Sequence, residues 1–237
     1  MEQNTTSTNN NLYSLSIRIS SDGFSLSVFD ESKLLLTFKK INISFGKLSI
    51  IEIVEIIKKE TQLYYRNINL IYESDIYAII PDSIFKPENA SDFLYLQHEP
   101  VKNDQIISNS IPTWGVVNTF TIPDSIQNAL HQVFPYTTIQ HHLSFFLTDN
   151  IKMQSADCLY IWTRHKMMDI VVIKNGKLQL INSFSYQTPE DFAYFTLNVF
   201  EQLMLDIENC KVYLFNAETK TNIKKTLEEY LSVISSQ

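Results

Sequence analysis

Glycine is scarce in this chain, with four among 237 residues. Enzymes built on glycine-rich phosphate loops need backbone freed of Cβ so that it can close on an anion, and this composition argues against them. Cysteine is scarcer still. The two present lie far apart in sequence, so no disulfide framework is available, and reduced thiols in a cytoplasmic protein are the expectation. Long apolar runs are missing as well. None approaches the ~18 residues that suggest a membrane helix, and the nearest, 50–57, is interrupted by Glu52 and Glu55. Membrane insertion is not expected. Residues 1–11 are rich in Asn, Thr and Ser without an apolar core, which reads as a disordered tail rather than a secretory signal. Positive charge is in deficit, with 19 Lys and Arg against 26 Asp and Glu, a formal net charge of −7. Nonspecific nucleic-acid binding rests on cations that neutralise phosphates and is therefore disfavoured.

What the chain does have is a globular composition, 44% hydrophobic and 12% aromatic, at a length that can bury a large core. Its best-signalled stretch runs from Cys158 to Phe215. Strands are predicted over 158–164, 167–174, 177–185 and 211–215, with a helix over 189–205. Asn175-Gly176 separates two strand-forming runs and suits a type I′ turn, which needs positive φ at both central positions. Thr188 is placed to cap the helix, Pro189 fits its first position and Asp191 completes a capping box. Phe192, Phe195, Val199 and Leu203 then recur at helical spacing.

The first half follows the same grammar. Period-two patterns predict strands over 12–20, 24–29 and 34–40. Ser49 and Glu52 form a capping box ahead of the stripe Ile50, Ile53, Val54 and Ile57, and 67–72 is the next strand. Corresponding elements of the two halves are offset by about 140 residues throughout, and element order repeated at near-constant offset is the mark of an internal duplication. The middle is less regular. Residues 76–80 are expected to form a hairpin with 67–72, residues 90–98 and 124–133 to be helical, and 105–111 and 115–121 to be strands. Residues 137–148 fit neither period. A polar-faced helix over 218–233 is expected to close the chain.

The order βββαβα, run twice from Leu12 to Ile234, resembles the ribonuclease H-like units of the actin-like ATPases. More closely, the chain resembles an uncharacterised Bacteroidetes family of unknown function with this duplicated fold. The features that carry the resemblance are its length, the strand Ser14-Leu-Ser-Ile-Arg-Ile-Ser20, the segment Ile80-Pro81-x-x-Ile84-Phe85 and the aromatic-rich second half. The fold it implies is α/β, two ribonuclease H-like βββαβα units in an actin-like ATPase arrangement. Residues 12–150 would form the first unit, with extra strands and helices, and 151–237 the second. The resemblance brings no activity with it.

Actin-like ATPases hold nucleotide phosphates with two strand-turn-strand loops, each with an acid that organises hydrated Mg²⁺ and a glycine that lets backbone N–H groups approach. The corresponding candidates are Ser21, Asp22 and Gly23 in the first half and Arg164, His165 and Lys166 in the second. Asp22 and Gly23 are adjacent, so the usual Asp-x-Gly spacing puts Ser21 at the acid position. The second turn has neither acid nor glycine, and residues 215–218 lack the paired glycines of an adenine site. Two-metal nuclease chemistry needs a carboxylate in the first strand of a unit, and neither 12–20 nor 158–164 supplies one. His141 and His142, adjacent on a strand, would point to opposite faces, and His98, His131 and His165 are isolated, so no metal site is expected. Cys158 and Cys210, at the starts of neighbouring parallel strands, are expected to be close, buried and reduced. Trp114, Trp162 and Phe184 read as core or as interface anchors. A basic turn at 164–166 is also able to hold an anionic group or acidic partner segment without Mg²⁺.

No catalytic residue is assigned. The reading is a non-catalytic binding or scaffold protein, a degenerate relative of actin-like ATPases, with an unknown protein partner and no cofactor. Two alternatives stay open: an ATP-dependent enzyme or nucleotide switch with atypical phosphate loops using ATP and Mg²⁺, and a small-molecule sensor using the interdomain cleft.

Overall fold

The computed structural model describes residues 13–20, 23–42, 48–61, 65–151, 155–164, 166–215 and 221–236. Backbone contacts divide the chain into two compact units between Asn150 and Ile151.

The first unit opens with three antiparallel strands, β1 (Ser14–Ser20), β2 (Gly23–Phe29) and β3 (Leu35–Asn42). Leu15, Ile17 and Ile19 are buried on β1 while the residues between them are half-buried, as period-two patterning requires. Helix α1 (Ile50–Glu60) begins at a complete capping box: Ser49 Oγ accepts from the Glu52 N–H at 3.3 Å and Glu52 Oε2 accepts from the Ser49 N–H at 2.8 Å. The chain returns as β4 (Asn67–Tyr72), parallel to β1.

An insertion follows: β5 (Tyr77–Pro81), α2 (Ala90–Tyr95), β6 (Asp104–Ile111), β7 (Val116–Pro123) and α3 (Asp124–Val133). Strand β8 (Ile139–His141) then pairs parallel to β4 and runs into the short helix α4 (His142–Phe145). The main sheet has the order β3-β2-β1-β4-β8, and the insertion forms its own sheet, β5-β7-β6. This corrects the expected hairpin between 67–72 and 76–80. Both edges of β4 are taken, by β1 and β8, so β5 pairs with β7 instead.

The second unit repeats the plan. Strands β9 (Cys158–Thr163), β10 (Met167–Lys174) and β11 (Lys177–Ser185) are antiparallel. Asn175 and Gly176 have φ of 52° and 71°, the two positive values that the turn between β10 and β11 requires. Helix α5 (Pro189–Gln202) carries the capping box of Thr188 and Asp191. It ends short of the expected residue 205, where Lys174 Nζ donates to the Leu203 and Met204 carbonyls at 2.7 and 3.1 Å. Strand β12 (Lys211–Phe215) lies parallel to β9. The expected terminal helix is also corrected: α6 covers Thr221–Glu228, and Val233–Ser236 forms β13, parallel to β12. Val233 and Ile234 are β-branched and complete the sheet beside an edge that would otherwise be unpaired. The resulting order, β11-β10-β9-β12-β13, matches the first sheet position for position. Strand β9, central in it, is buried along its whole length, and its core packs Leu159 and Ile161 with Phe192, Val199, Phe200 and Leu214. Among the described residues no helix is long and apolar enough to cross a membrane.

A buried polar node fastens the insertion to the first sheet. Asn109 on β6 donates through Nδ2 to Ile139 O at 3.1 Å and accepts through Oδ1 from the His141 N–H at 2.7 Å. One amide side chain thus substitutes for a neighbouring strand on β8. The ring of His141 is fully buried; Nε2 lies 2.9 Å from Ser74 O, which makes it the donor, and Nδ1 accepts from Asn118 Nδ2 at 2.8 Å. Replacing Asn109 by Leu strands two backbone groups. We expect a loss of about 1–3 kcal/mol in urea unfolding of the full chain; an unchanged midpoint would remove Asn109 from this role.

Candidate functional site

The residues singled out from the sequence sit where the first strand of each unit turns into the second. In the first unit the ladder of β1 and β2 runs up to the Ser20↔Gly23 pair, with two sequence positions between them. Gly23 has φ of 136°, a conformation that L side chains rarely adopt, and its carbonyl accepts from Ser20 Oγ at 3.2 Å. Ser21 and Asp22, like His165 and the 1–11 tail, lie outside the described residues. Beside the turn, Arg18 on β1 is paired with Glu73, just past β4, and the Glu73 N–H donates to Ile19 O at 2.8 Å. The parallel alignment of β1 and β4 brings the two together.

The second turn is equally short. The Arg164 N–H donates to Met167 O at 2.8 Å, again leaving two residues between. The side chain of Arg164 does not project from a solvated turn. It is buried, with Nε 2.7 Å from Asp169 Oδ2 and Nη2 2.9 Å from Asp169 Oδ1, a two-pronged ion pair. Asp169 is itself fully buried, and Ser183 Oγ donates to its Oδ1 at 2.6 Å. The pair therefore links the end of β9 to β10 and β11. Lys166 is exposed, while its carbonyl accepts from the Tyr186 N–H at 3.0 Å. Of the candidates at 164–166, then, the structure sends Arg164 inward and Lys166 outward. Asp169 and Ser183 went unremarked in the sequence, although an aspartate inside the apolar run Met167–Lys174 is the signal that a buried partner exists.

The other candidates resolve as follows. His141 and His142 do not point to opposite faces, because the strand ends between them and α4 begins; both are buried with ring centroids 4.2 Å apart. Among the described residues no three His, Cys, Asp or Glu side chains are grouped to hold a metal ion. Cys158 and Cys210 are both buried free thiols. Burial, then the neighbouring Cys158 and Asp157, push the Cys210 thiol up to about 12, and burial raises Cys158 as well, so both stay protonated at neutral pH. Trp162 is buried, Trp114 donates through Nε1 to Leu147 O at 3.1 Å, and Phe184 stacks on Phe195.

Comparison with known proteins fits this architecture. The chain belongs to the family described as Protein of unknown function (DUF3822), whose model matches residues 2–234. It is similar to a Bacteroides thetaiotaomicron protein with actin-like ATPase fold and unknown function, at 24% identity and a TM-score of 0.81, covering 97% of this chain and 92% of that one. The chain thus has the actin-like ATPase fold, and the family resemblance read from the sequence holds. More distant likenesses include a PilM–PilN type IV pilus biogenesis complex, at 11% identity and a TM-score of 0.56 over 94% and 88% of the two chains. Another is the ethanolamine utilization protein EutJ from Carboxydothermus hydrogenoformans, at 10% identity and 0.50 over 94% and 84%. No curated protein matches the sequence.

Removing one member of a buried ion pair strands the other. Arg164→Met or Asp169→Leu alone is expected to cost about 3–5 kcal/mol, and the double variant to recover most of the loss. Urea unfolding of the three variants measures this; additive losses would contradict a coupled pair.

Proposed function

We propose that this member of the family is a non-catalytic binding or scaffold protein, a degenerate relative of the actin-like ATPases. One observation carries the reading: the described groups that flank the two turns are engaged within their own units, the Gly23 carbonyl by Ser20 Oγ, the Arg164 N–H by the Met167 carbonyl and the Arg164 guanidinium by Asp169. A phosphate-binding turn needs several backbone N–H groups free to converge on the anion, together with a carboxylate for Mg²⁺. Here the ladder takes the N–H of Arg164, and the buried guanidinium of Arg164 stands where the sequence reading looked for an acid. The likeness to a chain of the PilM–PilN type IV pilus biogenesis complex supports a role in protein assembly. The partner of this chain is a protein, and neither nucleotide nor metal takes part.

Calorimetric titration of the purified chain with ATP and with ADP, with and without Mg²⁺, tests the proposal. The expected result is no binding tighter than about 100 μM, roughly −5.5 kcal/mol. Tighter Mg²⁺-dependent binding would replace the scaffold reading with a nucleotide switch or enzyme.

A further inference from the structure

Strand β6 is an outer strand of the inserted sheet and, among the described residues, pairs with β7 alone. Its hydrogen-bond phase follows from one bond at its start. The Asp124 N–H donates to Asn103 O at 3.0 Å, one residue beyond the Asp104↔Pro123 pair. In an antiparallel ladder that bond makes Asp104↔Pro123 a non-hydrogen-bonded pair, and the phase alternates from there through the regular register. Ile106, Ser108 and Ser110 therefore turn their backbone N–H and C=O groups away from β7, toward the sheet edge. The Ser108 and Thr119 hydroxyls, 2.9 Å apart across the ladder, fit this phase, since side chains approach most closely across such pairs.

The same three residues line a pocket of about 550 Å³. Its other wall comes from Phe85, Pro87, Ala90 and Ser91, at and before the start of α2. No charged side chain lines it. One strand thus offers a row of edge-facing backbone groups and, with side chains on one face, a wall of a mostly apolar cavity. A strand added at an open edge draws affinity from main-chain hydrogen bonds and specificity from pockets that take every second side chain.

We propose that β6 accepts an extended segment of a partner protein as a fourth strand, with an apolar side chain of that segment seated in the pocket. The partner strand is flanked by Lys or Arg. Exposed Glu88 and Asp92 adjoin the lining residues Pro87 and Ser91, with Lys86 the single base beside them, and the chain as a whole carries a net charge of −7. The same charge disfavours a second copy of this acidic chain. The edge-facing row of main-chain groups, which a small apolar molecule would leave unused, favours a peptide. This inference rests on the protein-binding reading above and deepens it.

The test uses the full ¹⁵N-labelled chain and capped synthetic peptides Lys-Thr-Val-Thr-X-Thr-Val-Lys, with X as Leu, Ile, Met or Phe, titrated at low salt. Saturable shifts of the Ile106, Ser108 and Ser110 amides below about 1 mM peptide are expected. Gly at X, or Glu for both Lys, should weaken binding at least about tenfold. Ser108→Pro removes an edge-facing N–H without touching the ladder and should abolish binding while the remaining spectrum is kept. Ser91→Trp, which fills the pocket, should weaken every peptide. Absence of saturable shifts with all four peptides would overturn the proposal, as would indifference to Ser108→Pro. Concentration-dependent dimers lost in Ser108→Pro would overturn the choice of partner, because the occupant would be a second copy. Failure here with no nucleotide binding would remove this edge and leave the scaffold reading; Mg²⁺-dependent nucleotide binding would do the reverse.

Discussion

The ion pair between Arg164 and Asp169 is the constraint on which the reading of the second unit turns. Both groups are out of water, with side chains 6% and 0% exposed. A charge taken out of water is stable only while its partner stays with it, and Ser183 supplies a further bond to the carboxylate. Arg164 therefore cannot swing out toward a ligand without leaving Asp169 buried and uncompensated. The turn is held by what lies beneath it, and Lys166 is the described cation that it shows to solvent.

The first unit has a polar node of a different kind. Around His141 the bonds are between neutral groups, and they join four places distant in sequence: Ser74 after β4, Asn109 on β6, Asn118 on β7 and the strand end itself. Tyr77 and Phe120 pack against the ring. Such networks favour one arrangement because any other breaks several buried hydrogen bonds at once. In this chain the network fixes the insertion to the main sheet, and so sets where β6 and its pocket stand. The duplicated sheets supply the frame; among the described residues the insertion belongs to the first unit alone.

Much of this frame was legible in the sequence, and the reason is locality. Capping boxes at Ser49 and Thr188, the Asn175-Gly176 turn and the period-two strands are each written within a few residues, and their repetition across the two halves exposed the duplication. What was not legible depended on partners remote in sequence. Val233 and Ile234 are a strand because β12 has a free edge, and β5 leaves β4 because β8 takes the place beside it. His141 and His142 share a face because a helix starts between them. Arg164 read as part of a basic turn able to hold an anion because Asp169 and Ser183, which bury it, become neighbours only when the three strands are paired. The pocket against β6 left no sequence signal at all, its walls coming from 85–91 and 106–117.

The proposed scaffold role requires that neither turn holds a nucleotide phosphate. Hydrogen–deuterium exchange of the full chain, with and without millimolar Mg²⁺ and a non-hydrolysable ATP analogue, tests it at the turns themselves. The account predicts that amides at Gly23 and from Arg164 to Met167 exchange at the same rates in both conditions. Slowed exchange at both turns on adding nucleotide would mean that they close on phosphate after all, and the account would be wrong.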